Sequence, residues 1–233
     1  MKNRLLNAFA HARRLGRKVF SAYVTLGYPT LGFTQRFVNA LEDAGVDILE
    51  LGFPFSDPLA DGPVIQHASE VGLRKAVTLD DAFRLGRRLR KESSRLALVF
   101  FSYYNPILQR GLKRFANELA ASGFDGLISP DLPPDEDTEL AHLLREKGIA
   151  VIYLAAPTTD PERLRLIAHR STGFIYYVSL KGVTGMRKML SRDLASKVRA
   201  IKRLTRKPVL IGFGVSNPAQ AREGVGAGWA HGA

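Results

Sequence analysis

Val19-Phe-Ser-Ala-Tyr-Val-Thr-Leu-Gly-Tyr-Pro-Thr30 is the stretch that decides between the two folds open to this chain. Val19–Thr25 is an apolar run of strand length. The turn after it, Thr25-Leu-Gly-Tyr-Pro-Thr30, lacks the glycine fingerprint that a dinucleotide-binding sheet carries after its first strand. Outward from here, apolar runs alternate with amphipathic ones. Strands are expected at Asp47–Leu51, Leu96–Phe101, Gly126–Ser129, Ala150–Leu154, Phe174–Ser179 and Val209–Gly212. Such alternation implies parallel strands covered by helices. Right-handed crossovers then allow a closed barrel or an open doubly wound sheet. Polar turns with Gly and Asp follow many successive strands, as in a barrel whose site is assembled from all its βα loops. The reading is a (β/α) barrel.

The helices carry their own signals. Thr34–Ala44 has Phe33, Phe37 and Leu41 four residues apart and stops at Gly45. Pro134–Lys147 begins acidic, ends basic and stops at Gly148, which suits the helix dipole. Thr159-Asp-Pro-Glu162 has capping-box spacing. No linker or repeat divides the chain, so residues 1–233 are expected to form one barrel domain. Seven strands are expected, and no eighth apolar run follows the helix near Asn217–Gly226. A barrel ended there would leave two strand edges unpaired, so the domain is expected to be incomplete at its C-terminal end.

Composition narrows the function. With 45% hydrophobic and 24% charged residues, this is a globular chain and not a disordered one. Cysteine is absent, which excludes disulfides, thiolate metal sites and a cysteine nucleophile. His11, His67, His142, His169 and His231 have no metal-ligand spacing. The longest apolar run, Ile149–Ala156, is too short to span a bilayer. The net charge of +12 gathers near the N-terminus, in Arg84–Lys91 and in Lys197–Lys207. Each stretch is interleaved with apolar residues at helical spacing, the pattern of a solvated basic face and not of a nucleic-acid site. Such charge still attracts anionic metabolites. The first acidic residue is Glu42, giving the N-terminus a transit-peptide look, but no cleavage region follows it, and a cytoplasmic location is expected.

Chemistry concentrates in Asp47-Ile-Leu-Glu-Leu-Gly-Phe-Pro-Phe-Ser-Asp-Pro-Leu-Ala-Asp-Gly-Pro63. Glu50 lies inside an apolar strand, where burial raises a carboxyl pKa toward the range useful for proton transfer. A strand-end carboxylate that caps a helix or pairs with an arginine fits the same pattern. Asp57 reads as a turn former, whereas Asp61 is near enough to converge with Glu50 as an acid–base pair. Gly182-Val-Thr-Gly-Met186 and Gly212-Phe-Gly-Val-Ser216 are candidate phosphate cradles, or simply glycine turns. Lys181 is a candidate Schiff-base lysine, or a solvated loop residue.

Leu49-Glu-Leu-Gly-Phe-Pro-Phe-Ser-Asp-Pro-Leu-Ala-Asp-Gly-Pro-Val-Ile-Gln66 closely resembles the tryptophan synthase alpha chain family. Thr25–Pro29, Tyr103-Tyr-Asn-Pro106, Asp131-Leu-Pro133, Gly182–Gly185 and Gly212–Ser216 continue the resemblance in order, to about Gly228. It implies a TIM barrel that cleaves indole-3-glycerol phosphate to indole and glyceraldehyde 3-phosphate, without cofactor or metal. It also implies that Glu50 is the catalytic acid/base and that Asp61 interacts with the indole N–H. Tyr23, Ile65, Phe101, Tyr176 and Phe213 would line the indole pocket, Gly185 and Gly214 would bind phosphate, and Thr184 would bond Asp61 on loop closure. The implied partner is a β chain, in a heterotetramer of two alpha and two beta chains, with Asp57 and Asn105 on the contact side. The departure from the family is at the end, where Trp229-Ala-His-Gly-Ala233 stands in place of an eighth strand, a Gly-Ser phosphate turn and terminal helices. Much weaker turnover than that of a complete barrel is therefore expected. The alternatives are a catalytically defective barrel that only binds the β chain, and an aldolase using Lys181.

Overall fold

The computed structural model describes residues 3–92, 94–137, 139–178 and 187–212, with backbone alone for 187–195. The strands are β1 (Ser21–Thr25), β2 (Ile48–Gly52), β3 (Ala97–Phe101), β4 (Gly126–Ile128), β5 (Ala150–Ile152), β6 (Leu154–Ala155), β7 (Ile175–Val178) and β8 (Val209–Gly212). They pair in parallel and in sequence order, β1 to β5 in one sheet and β6 to β8 in another. Every expected strand is present, with ends moved by a residue or two. The expected fifth strand is broken at Tyr153, so β5 pairs back to β4 while β6 pairs forward to β7. Tyr153 serves both sides of the break. Its carbonyl accepts from Tyr176 N, and its hydroxyl donates to buried Asp137 at 2.8 Å.

The helices are α1 (Arg4–Arg14), α2 (Leu31–Asp43), α3 (Pro63–Arg74), α4 (Leu79–Lys91), α5 (Tyr104–Arg110), α6 (Leu112–Ala121), α7 (Glu139–Glu146), α8 (Pro161–Arg170) and α9 (Arg187–Leu204). Because successive strand residues face opposite sides, two cores form. Leu49, Leu51, Phe100, Leu127 and Val151 face out and pack under the helices with Phe83, Phe115 and Leu144. Ile48, Val99, Ile128, Ile152 and Leu210 face in and pack with Leu5 of α1. Each such side chain contributes about 1.5–3 kcal/mol by leaving water.

Helix α1 closes the inner core. Leu5 is fully buried, and Phe9 meets Phe174 with ring centroids 5.8 Å apart. Gly173 permits this approach, since a Cβ there would lie 2.7 Å from Leu5 Cδ2. Asn3 caps α1 by accepting from Leu5 N, and its amide donates to the Asp125 and Gly148 carbonyls at 2.8 Å each.

Three local expectations are corrected. Helix α2 starts at Leu31, not Thr34, with Thr30 as its cap, and Thr34 and Val38 form its buried face. Phe33 and Phe37 instead stack on one another at the surface, because the buried stripe runs through their neighbours. The acidic segment Pro134–Asp137 is a turn, and α7 starts only at Glu139. Asp160, not Thr159, caps α8 by accepting from Arg163 N, while Thr159 Oγ accepts from Ala156 N. Gly45 and Gly148 have positive φ, as helix-terminating glycines should. Everything after Gly212 lies outside the described residues, and with it the expectation of a missing closing strand.

Candidate active site

Glu50 is the middle residue of β2, beside Tyr23 of β1 and Val99 of β3 in the strand register. Ile48, Glu50 and Gly52 share the inward face by the two-residue period. The carboxyl group is buried, with the residue 3% exposed. Burial is the main cause that pushes its pKa up from 4.5 to about 7, against the opposing effect of the Ser21 and Tyr176 hydroxyls. Ser21 Oγ donates to Oε1 at 2.5 Å. The Tyr176 hydroxyl also acts on the carboxyl group and favours its charged form, and Oε2 has no hydrogen-bond partner among the described residues.

Asp61 lies half-buried in the loop between β2 and α3. Pro63 starts α3 two residues later, where its missing N–H costs nothing, and the Gln66 amide donates to the Asp61 carbonyl at 3.0 Å. Tyr103 holds the other side. Its hydroxyl accepts from Ala60 N at 2.9 Å and donates to Asp61 Oδ2 at 3.2 Å, while its ring stacks on Phe55 at 4.9 Å. Burial raises the Asp61 pKa, and the Tyr103 hydroxyl opposes the rise.

Two tyrosines accompany the carboxyl groups. Tyr23 and Tyr176 each feel both Glu50 and Asp61, and burial is the main cause that keeps both phenols protonated. Room for them comes from glycine. A Cβ on Gly52 would lie 2.0 Å from the Tyr23 hydroxyl, and one on Gly212 would lie 2.0 Å from that of Tyr176. Phe101 meets Tyr23 edge-on at 5.5 Å. The result is an aromatic interior with one carboxyl poised near neutrality and a second in the following loop, a pair suited to moving protons on an apolar substrate.

Tyr23, Glu50, Phe101 and Tyr176 therefore meet in the barrel interior. Ile65 is half-buried on α3. Asp57 is exposed and accepts from Ser56 Oγ at 2.5 Å, and Asn105 is exposed in α5. Thr184, Gly185, Phe213, Gly214 and Lys181 lie outside the described residues. Ser21 and Tyr103 were not foreseen as site residues. The signal for Ser21 was its place two residues before Tyr23 on the same strand face, and that for Tyr103 was its place at the head of the Tyr103-Tyr-Asn-Pro106 motif of the resemblance. Among the described residues, no group of three or more His, Cys, Asp or Glu is placed to hold a metal.

A parallel barrel with one carboxyl group buried on a strand among phenols and a second in the following loop defines a TIM-barrel acid–base enzyme. The family model for the tryptophan synthase alpha chain matches residues 9–232. The tryptophan synthase alpha chain of Dehalococcoides mccartyi is 47% identical over 88% of this chain and 80% of its own length. That of Roseiflexus castenholzii is 45% identical over 95% of this chain and 85% of its own. The crystal structure of the alpha subunit from Legionella pneumophila superposes with a TM-score of 0.90 at 34% identity, covering 100% of this chain and 85% of that one. The chain belongs to the tryptophan synthase alpha chain family, a family of lyases.

Proposed function

We propose that this chain cleaves indole-3-glycerol phosphate to indole and glyceraldehyde 3-phosphate by a retro-aldol reaction that uses no cofactor. Glu50 puts a proton on indole C3 and removes one from the glycerol hydroxyl next to the breaking bond. The O–H electrons then form the aldehyde C=O, the C–C bond breaks, and its electron pair returns to the ring. Asp61 interacts with the indole N–H and stabilises positive charge on the ring. The observation that carries this reading is the burial of Glu50, 3% exposed on the inward face of β2 beside Tyr23, because burial lifts a carboxyl toward the neutral range where a proton shuttle works best.

Tyr23, Ile65, Phe101, Tyr176 and Phe213 line the indole pocket in this reading. Gly185 and Gly214 bind the phosphate, and Thr184 joins Asp61 when the loop closes. The net charge of +12 favours an anionic substrate. The chain forms one barrel domain, acts in the cytoplasm, and pairs with a β chain through the side bearing Asp57 and Asn105, as two alpha and two beta chains. A solved structure of similar fold is a tryptophan synthase complex, from Pyrococcus furiosus. No helix among the described residues is long and apolar enough to cross a membrane.

The test is indole release from indole-3-glycerol phosphate by the purified chain, alone and with β chain, beside Glu50→Gln. The parent is expected to release indole, and Glu50→Gln to lose at least about 100-fold in kcat. A folded parent that is silent in both runs would favour a barrel that only binds.

A further inference from the structure

Ser21 lies on β1, one inward-facing step before Tyr23, and its register partner is Ile48, two residues before Glu50. It is 2% exposed and surrounded by inner-core residues such as Ile48 and Ala97. A hydroxyl is costly to bury in such a place unless it is bonded. Its observed bond goes to Glu50 Oε1 at 2.5 Å. The second carboxylate oxygen has no donor among the described residues.

We infer that Ser21 is a positioning residue for the lyase reaction, anchoring Glu50 Oε1 so that proton exchange with the substrate falls to Oε2. This rests on the reading of Glu50 as the acid/base. A carboxyl free to rotate would present either oxygen in many orientations. One pinned at Oε1 presents a single oxygen with its lone pairs at a fixed angle, and such pre-orientation contributes to rate. The Ser21 bond also favours the charged form, so it restrains the rise in proton affinity that burial imposes. The other ionisable groups that face Glu50 are Tyr176 on β7 and Tyr23 on β1, with Asp61 acting on both phenols from its loop.

The experiment compares the parent, Ser21→Ala, Ser21→Thr and Glu50→Gln. Indole release is followed across pH, and Glu50 is titrated directly by 13C NMR of the side-chain carboxyl in labelled protein. Ser21→Ala is expected to raise the Glu50 pKa by about one unit, the size of one hydrogen bond to a charged group. The limb of the pH profile that vanishes in Glu50→Gln should move up with it, and kcat should fall about tenfold. Ser21→Thr keeps the hydroxyl and should keep both the pKa and the profile. If Ser21→Ala does not fold, Ser21→Cys, with a weaker donor, should show the same upward shift in smaller measure. An unmoved Glu50 pKa, or a fall in rate with an unmoved pH limb, overturns the role of Ser21. Full activity in Glu50→Gln, or a folded parent without activity, overturns the acid/base reading itself.

Discussion

The Arg90 guanidinium closes on the Asp125 carboxylate at 2.7 Å, with the two side chains only 13% and 5% exposed. Arg90 comes from α4, and Asp125 immediately precedes β4. The same guanidinium donates to the carbonyls of Gly123, Ser94 and Leu96, and Asp125 also accepts from Leu98 N and Arg4 N. Burial lowers the Arg90 pKa to about 10, which still leaves it charged at neutral pH. Removing one partner of a buried pair strands the other. Asp125→Ala should therefore destabilise the fold by about 3–5 kcal/mol in denaturant unfolding. Asp125→Asn, which still accepts from Leu98 N, should lose less.

Glu50 makes stability depend on pH in a predictable direction. Folded, it keeps its proton up to about pH 7, whereas in the unfolded chain it ionises near its ordinary 4.5. The folded state binds more protons between those values, so stability falls as pH rises from about 4.5 to 7 and levels off above. At about 1.4 kcal/mol per pKa unit, the parent should lose on the order of 3 kcal/mol relative to Glu50→Gln across that window. Paired urea titrations at pH 4.5 and 7.5 measure the difference. An unchanged gap between the two proteins would mean that Glu50 titrates normally.

Tyr103→Phe isolates the hydroxyl that bridges Ala60 and Asp61. The ring and its stacking on Phe55 remain, so stability should change by only about 1 kcal/mol. Asp61 loses a donor that favours its charged form, and its pKa should rise further. Indole release should fall by about five- to tenfold in kcat/KM, the cost of an imperfectly held carboxylate. Equal kcat/KM in the two proteins would remove Tyr103 from the site.

Gly52→Ala tests the space occupied by Tyr23. The added methyl would lie 2.0 Å from the phenol oxygen, so Tyr23 must move within a packed interior. Activity should drop more than stability, because the displaced ring is the register neighbour of Glu50 and packs edge-on against Phe101. Cζ and Cε2 of the ring would also lie 2.4 and 2.8 Å from the methyl, so the matching change at Tyr23 must remove the ring as well, and Tyr23→Leu should restore part of the stability lost in Gly52→Ala. Failure of the double variant to recover anything would show that Gly52 serves another purpose.

The strands were readable because each is a short apolar run bounded by turn residues, and their sequential pairing follows from the alternation with helices. Glu50 was readable because a carboxylate in such a run is an exception. Its partner Ser21 was not, since a serine in a strand is ordinary until the fold brings its hydroxyl to Glu50 Oε1 across the inward face. Arg90 falls in a stretch, Arg84–Lys91, whose spacing reads as a solvated basic face. Its burial depends on Asp125, 35 residues away, and helical spacing carries no trace of that pairing. Phe33 and Phe37 misled in the opposite sense. Their four-residue spacing suggested a core stripe, but α2 turns Thr34 and Val38 inward. Periodicity marks faces on a helix, and the strands beneath decide which face is covered.

The docking of α1 bears on the order in which the protein takes shape as it is made. Each described strand pairs only with its neighbours in sequence, so the sheet can grow as the chain leaves the ribosome. Helix α1 is different. Asn3 is held by the carbonyls of Asp125 and Gly148, 122 and 145 residues further on. At about 5–20 residues per second, those acceptors appear several seconds or more after Asn3 itself. The first helix synthesised therefore waits for the anchor of its cap until more than half of the chain exists to hold Asn3.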